Sequence, residues 1–115
     1  LLVFRNLIEN SAKYNDRNGG RIIARCEDGG VQWIFSVEDD GPGIEPRLHD
    51  KIFLPFRKLE RKDVVPGNGM GLAIVKKAVE ANGGDLEVIS DPSQRPGTIF
   101  RFTWPKQYIV SAALG

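Results

Sequence analysis

The chain has 115 residues, 16 Lys plus Arg against 15 Asp plus Glu, 41% hydrophobic residues and one cysteine. By surface scaling it hides roughly two-thirds of its extended-chain surface, about 12,000 Å², enough for a single domain that folds without staples. The lone Cys26 excludes an internal disulfide, no Cys/His cluster has zinc spacing, and a formal net charge of +1 removes the electrostatic case for nucleic acid or an anionic membrane.

Leu1 to Tyr14 carry apolar residues at Leu1, Phe4, Leu7, Ile8 and Ala12, which predicts an amphipathic helix ended by Asn15 to Gly20. Because the chain opens inside this periodic segment, an excised domain is expected. Alternation follows: Ile22, Ala24 and Cys26, a turn at Asp28-Gly29-Gly30, then Val31, Trp33, Phe35 and Val37. That pattern predicts an antiparallel hairpin with one buried face, Cys26 being a small core residue. Asp39 to Gly43 form a loop, a mixed segment runs to Phe56, and the polar stretch Arg57 to Asn68 reads as a mobile loop. A second helix is predicted over Met70 to Asn82, stopped by Gly83-Gly84. Two strands, Asp85 to Ser90 and Thr98 to Trp104, complete the order of an α/β layer with helices on one sheet face. The expected fold is a two-layer α/β sandwich, a mixed sheet packed under helices, over residues 1–105, with 106–115 an unassigned tail. No apolar run nears the ~20 residues of a membrane span, and with a single cysteine the expected setting is cytoplasmic, from a parent free to be membrane-anchored.

The glycine clusters carry the chemistry. Neither a P-loop nor a Rossmann fingerprint is present, since Gly67-Asn68-Gly69-Met70-Gly71 has the wrong third spacing and follows a polar loop. What remains is Gly67-x-Gly69-x-Gly71-Leu72 running into a helix, whose N-terminal amides and dipole favour phosphate. Asn6 and Asn10 stack four apart on one helix face and continue into Lys13, a strip able to hold Mg²⁺ and a triphosphate. Asp39 closes the apolar face of its strand, which turns a carboxylate inward and demands a partner.

Five clusters in order resemble the boxes of the ATP-binding catalytic domain of sensor histidine kinases, in the superfamily that also holds gyrase, heat-shock chaperone and mismatch-repair ATPases. They are Asn6 to Tyr14, Asp39 to Ile44, Ile52 to Phe56, Gly67 to Leu72, and Gly97-Thr98 with Phe100. The resemblance implies that Asn10 is the Mg²⁺ ligand and that Tyr14 lies beside the adenine. Asp39 would accept from the adenine amine with Thr98 helping through water, Gly41 and Gly43 would let the backbone approach the base, and Ile44 would pack on its face.

The hydrolytic relatives carry a glutamate four residues before the metal-binding asparagine; here that place is Asn6, and Glu9 is rotated about 100° away. This favours a kinase over an ATPase, and the resemblance implies transfer of the ATP γ-phosphate to a histidine on a dimerisation domain of the same parent, with a response regulator receiver domain downstream. A serine kinase of the anti-sigma-factor kind, and a degenerate domain without transfer, are the alternatives. His49 reads as a solvated loop histidine. Where the family commonly has arginine after its phenylalanine box, this chain has Lys58, preceded by Arg57. Lys58 is favoured as the cation at the transferring phosphate, with Arg57, Arg61 and Lys62 the next candidates.

Overall fold

A computed structural model of the chain describes residues 2–15, 19–54 and 71–106. The first helix, α1, runs Leu2–Tyr14 and buries Val3, Leu7 and Ser11 at helical spacing, leaving Arg5 and Glu9 outside as an i,i+4 ion pair at 2.9 Å. Strands β1 (Ile22–Asp28) and β2 (Gln32–Asp39) form the expected antiparallel hairpin, pairing Ile22 with Asp39 and Asp28 with Trp33. Asp28 sets its turn by accepting from the Gly30 amide at 2.9 Å, and the Lys106 ammonium bonds the same carboxylate at 2.7 Å while lying 4.3 Å from the centre of the Trp33 ring. These two partners hold the Asp28 carboxyl below its ordinary pKa, the Lys106 hydrogen bond most.

Two single 3₁₀ turns, Pro46–Leu48 and Lys51–Phe53, lead to helix α2, Gly71–Ala81. Gly83, at φ +80°, ends it: the Gly84 amide donates to Val79 O at 2.9 Å and the Gly83 amide to Glu80 O at 3.0 Å, a Schellman closure. Strands β3 (Leu86–Ile89) and β4 (Thr98–Pro105) finish the sheet, whose order is β1-β2-β4-β3. Because β4 pairs antiparallel with both neighbours, β2 and β3 run the same way with β4 inserted between them. The two-layer sandwich stands, but the expected mixed sheet does not appear among the described residues. There every neighbouring pair is antiparallel, since the strands joined through α2 are not adjacent.

Directly opposed residues share a face, so Val37 with Phe100 and Phe35 with Phe102 turn together toward the helices. The core comprises Val3, Leu7, Val37, Ile52, Val75, Val79, Phe100 and Phe102. Each such side chain contributes roughly 1.5–3 kcal/mol on burial. Phe35 stacks on Phe102 at 4.9 Å between ring centres, and Phe53 meets Phe100 edge-on at 6.4 Å. The far face carries the exposed pairs Arg25–Glu38 and Arg101–Glu87.

Burial of the hairpin lapses toward its turn. Val31 is 65% exposed, and Cys26, expected in the core, is exposed. The cause is position: among the described residues β1 is an edge strand, and only its Ile22 and Ile23 are partly covered. The stretch Arg57 to Asn68 and the tail beyond Lys106 lie outside the described residues.

Candidate functional site

One end of the sheet gathers three segments that are distant in sequence. Asp39 ends β2 and is the register partner of Thr98, which begins β4, while Ser90 follows the last residue of β3. The loop after Asp39 is fastened across this end: the Gly97 amide donates to Gly41 O at 2.9 Å, and the Ile44 amide donates to Ser90 Oγ at 2.8 Å. Ser90 Oγ in turn donates to Gly97 O at 2.8 Å and lies 3.1 Å from Thr98 Oγ1. Gly97 sits at φ +87°, and a Cβ there would overlap the Asp39 carbonyl, so the close approach of the two strand ends needs glycine at this point.

The end of α1 meets the same loop. Asn15 Nδ2 and the Arg21 amide both donate to Asp40 Oδ1 at 2.9 Å, and Gly41 lies against the backbone of Tyr14 and Asn15. Asp39 Oδ1 accepts from the Gly41 amide at 2.9 Å. Desolvation pushes the Asp39 carboxyl above its ordinary pKa; the Gly41 amide, the nearby Ser11 hydroxyl and the Thr98 backbone amide work against this, and the neighbouring charge of Asp40 works with it. Ser11 is 3% exposed and favours the charged form of Asp39. Its hydroxyl nevertheless stops short of full hydrogen-bond geometry and has no partner among the described residues.

Asn6 and Asn10 are half-buried and Lys13 is exposed; among the described residues none of the three side chains makes a hydrogen bond or ion pair. Two amide oxygens left open on one strip suit a hard cation that takes few protein ligands and keeps phosphate and water oxygens, and the ammonium beside them suits those phosphates. Glu9 is turned away, held by Arg5. Tyr14 and Ile44 are half-buried beside the loop, and Gly43 packs against Pro92, Ser90 and Gly97. Gly71 and Leu72 open α2, and the position of a Cβ on Gly71 faces open space. Gly67, Gly69, Arg57 and Lys58 lie outside the described residues, as do Pro55 and Phe56.

Four residues escaped the sequence reading. Ser11 follows Leu7 by four on the buried helix face, and Ser90 continues the alternation of Leu86 and Val88. A polar residue where the period calls for an apolar one was the available signal in both. Asp40, beside the noted Asp39, joins helix end to strand start. His49 is half-buried, not solvated, with Nε2 3.0 Å from Ile44 O; the carbonyl only accepts, so Nε2 carries the proton.

The fold and this arrangement define a catalytic domain of the sensor histidine kinase type. The structure is similar to the mycobacterial sensor histidine kinase MprB, with TM-score 0.76 and 34% identity over 90% of this chain and 68% of that one. It is also similar to full-length ShkA, solved with AMPPNP, with TM-score 0.73 and 30% identity over 90% and 20%. The chain belongs to the family described as histidine kinase-, DNA gyrase B-, and HSP90-like ATPase, which matches residues 1–108. Among curated relatives, cyanobacterial phytochrome A of Nostoc sp. (strain PCC 7120) is 40% identical over 103 residues, 90% of this chain. The adaptive-response sensory kinase SasA of Synechococcus sp. (strain CC9902) is 39% identical over 105 residues, also 90%. The chain spans 13% of the first relative's length and 27% of the second's.

Proposed function

We propose that this domain binds Mg·ATP and presents its γ-phosphate to a histidine on a dimerisation domain of the same parent, from which a response regulator receiver domain takes it. The observation that carries this reading is the strip Asn6, Asn10 and Lys13, open to ligand and lacking a carboxylate at the place of Asn6. An amide takes no proton at neutral pH, so such a site holds ATP for an outside nucleophile and does not activate water.

In this reading Asn10 ligates Mg²⁺, which neutralises phosphate charge, while Asn6 and Lys13 contact the triphosphate. Asp39 accepts from the adenine amine, Thr98 assists through a water, Tyr14 and Ile44 flank the base, and Gly41 and Gly43 admit it. Gly67, Gly69, Gly71 and Leu72 give backbone amides to the phosphates at the start of α2. Lys58 steadies the transferring phosphate, with Arg57 second. A lysine keeps the charge of arginine but not its bidentate fork. Among the described residues no helix is long and apolar enough to cross a membrane.

The test is phosphotransfer to a supplied histidine domain, with calorimetry alongside. Asn10→Ala should abolish the Mg²⁺ dependence of ATP binding. Lys58→Ala should slow transfer by about 10- to 1,000-fold, roughly 1.4–4 kcal/mol of barrier, with ATP affinity nearly unchanged, and Arg57→Ala should be milder. Magnesium-independent binding by the unaltered chain would remove the role given to Asn10. Transfer to serine in an anti-sigma-factor partner, and not to histidine, would move the chain to the serine-kinase branch.

A further inference from the structure

Ser90 is 6% exposed and its hydroxyl meets three polar groups at once: the Ile44 amide at 2.8 Å, Gly97 O at 2.8 Å and Thr98 Oγ1 at 3.1 Å. A serine hydroxyl has one proton and two lone pairs. The Ile44 amide can only donate and the Gly97 carbonyl can only accept, so the single Ser90 proton goes to Gly97. The bond between the two hydroxyls is thereby assigned: Thr98 must donate to Ser90. Thr98 Oγ1 is left with lone pairs alone, on the strand face it shares with its register partner Asp39, whose carboxylate also accepts.

We propose that Ser90 is a positioning residue for base selection, fixing the Thr98 proton away from the ligand so that the strand ends present acceptors only. The inference rests on the reading of this site as a purine-nucleotide site and names a residue that sets its preference. A 6-amino base offers a donor to Asp39. A water that gives one proton to Thr98 gives its other to the unprotonated ring nitrogen of that base. A 6-oxo base places an oxygen and a protonated ring nitrogen where an amine and a bare nitrogen are wanted, leaving buried acceptors facing an acceptor. Removing the Ser90 hydroxyl frees the Thr98 proton to turn and donate, which relaxes the choice.

The test is calorimetric titration of the 115-residue chain with Mg·ATP and with Mg·ITP, whose base differs at the 6-position and the adjoining ring nitrogen. The unaltered chain should prefer ATP, and Asp39→Ala should erase the preference. Ser90→Ala should narrow the ATP/ITP ratio by about 5- to 50-fold, the range for a mismatched buried hydrogen bond, with ATP weakened and ITP unchanged or tighter. Thr98→Val should narrow it too, and Ser90→Ala added to Thr98→Val should narrow it no further; the Thr98 arm stands even where Ser90→Ala does not fold. Equal weakening of both nucleotides by Ser90→Ala, or an unchanged ratio in Thr98→Val, overturns the role of Ser90 and leaves the site reading intact. Equal binding of ATP and ITP by the unaltered chain overturns the site reading and this inference with it.

Discussion

Asp39 serves two ends that oppose each other. Half-buried at the strand end, its carboxyl is held above the ordinary value chiefly by desolvation, so the folded chain grips that proton more tightly than the unfolded chain does. Stability therefore falls as pH rises from the unfolded value through the folded one, and above both the full penalty of a charged, half-buried carboxylate is present. Asp39→Asn removes the ionisation while keeping an acceptor for the Gly41 amide. It should raise the thermal midpoint of the nucleotide-free chain at pH 7, by a margin that shrinks as pH is lowered below the ordinary aspartate range, while nucleotide selectivity is lost. Melting curves taken across that interval check the sign, and a variant less stable than the original at neutral pH would refute it. Ser11 belongs to the same balance, since its buried hydroxyl favours the charged form of Asp39 that the surroundings oppose.

Among the connecting elements, two glycines with similar backbone angles have unequal burdens. Gly83 closes α2 at φ +80° with its nearest neighbour, Pro105 Cγ, 3.8 Å from a Cβ position, so Gly83→Ala carries only the conformational penalty, about 1 kcal/mol. Gly97 has the same kind of angle and in addition abuts the Asp39 carbonyl; Gly97→Ala should lose more than about 2 kcal/mol in urea denaturation and should weaken nucleotide binding, which Gly83→Ala spares. Equal losses would mean that the strand ends yield easily. The elements themselves were legible, because Leu7, Val75 and Val79 recur at helical spacing, Phe35 and Val37 alternate, and glycine pairs mark the stops. Strand order was not: nothing local in Thr98 to Trp104 tells it to lie between β2 and β3, since that choice is made by long-range pairing. The exposure of Cys26 was hidden for a related reason, as alternation names a face but not how far a helix extends over it. At the site, Asp39, Gly41 and Thr98 could be read from their clusters, whereas Ser90 acts through a contact across the fold, with the Ile44 amide, and His49 through the path of its own loop, which returns Nε2 to Ile44 O.

At the scale of the molecule, the alternative to phosphotransfer is hydrolysis, and α1 weighs against it. In the proposed reading Asn6 stands where a base would be needed, and Glu9 is bound to Arg5 on another side of the helix. ATP turnover by the isolated chain should stay near background in a phosphate-release assay, and Asn6→Glu should raise it; brisk turnover by the unaltered chain would place it with the hydrolytic members of its family. The position of β4 has a consequence for how the protein is made. Among the described residues β4 comes last in the chain yet is second from the edge in space, and β3 pairs there with β4 alone. A ribosome delivers the chain in order, so the apolar face of β2, with Phe35 and Val37, waits without its principal partner until Pro105 has emerged. During that interval the nascent hairpin is an open edge able to pair with another chain. A product cut short before Thr98 would thus lack the middle of its sheet, and its fate would be aggregation or proteolysis and not a partly working domain.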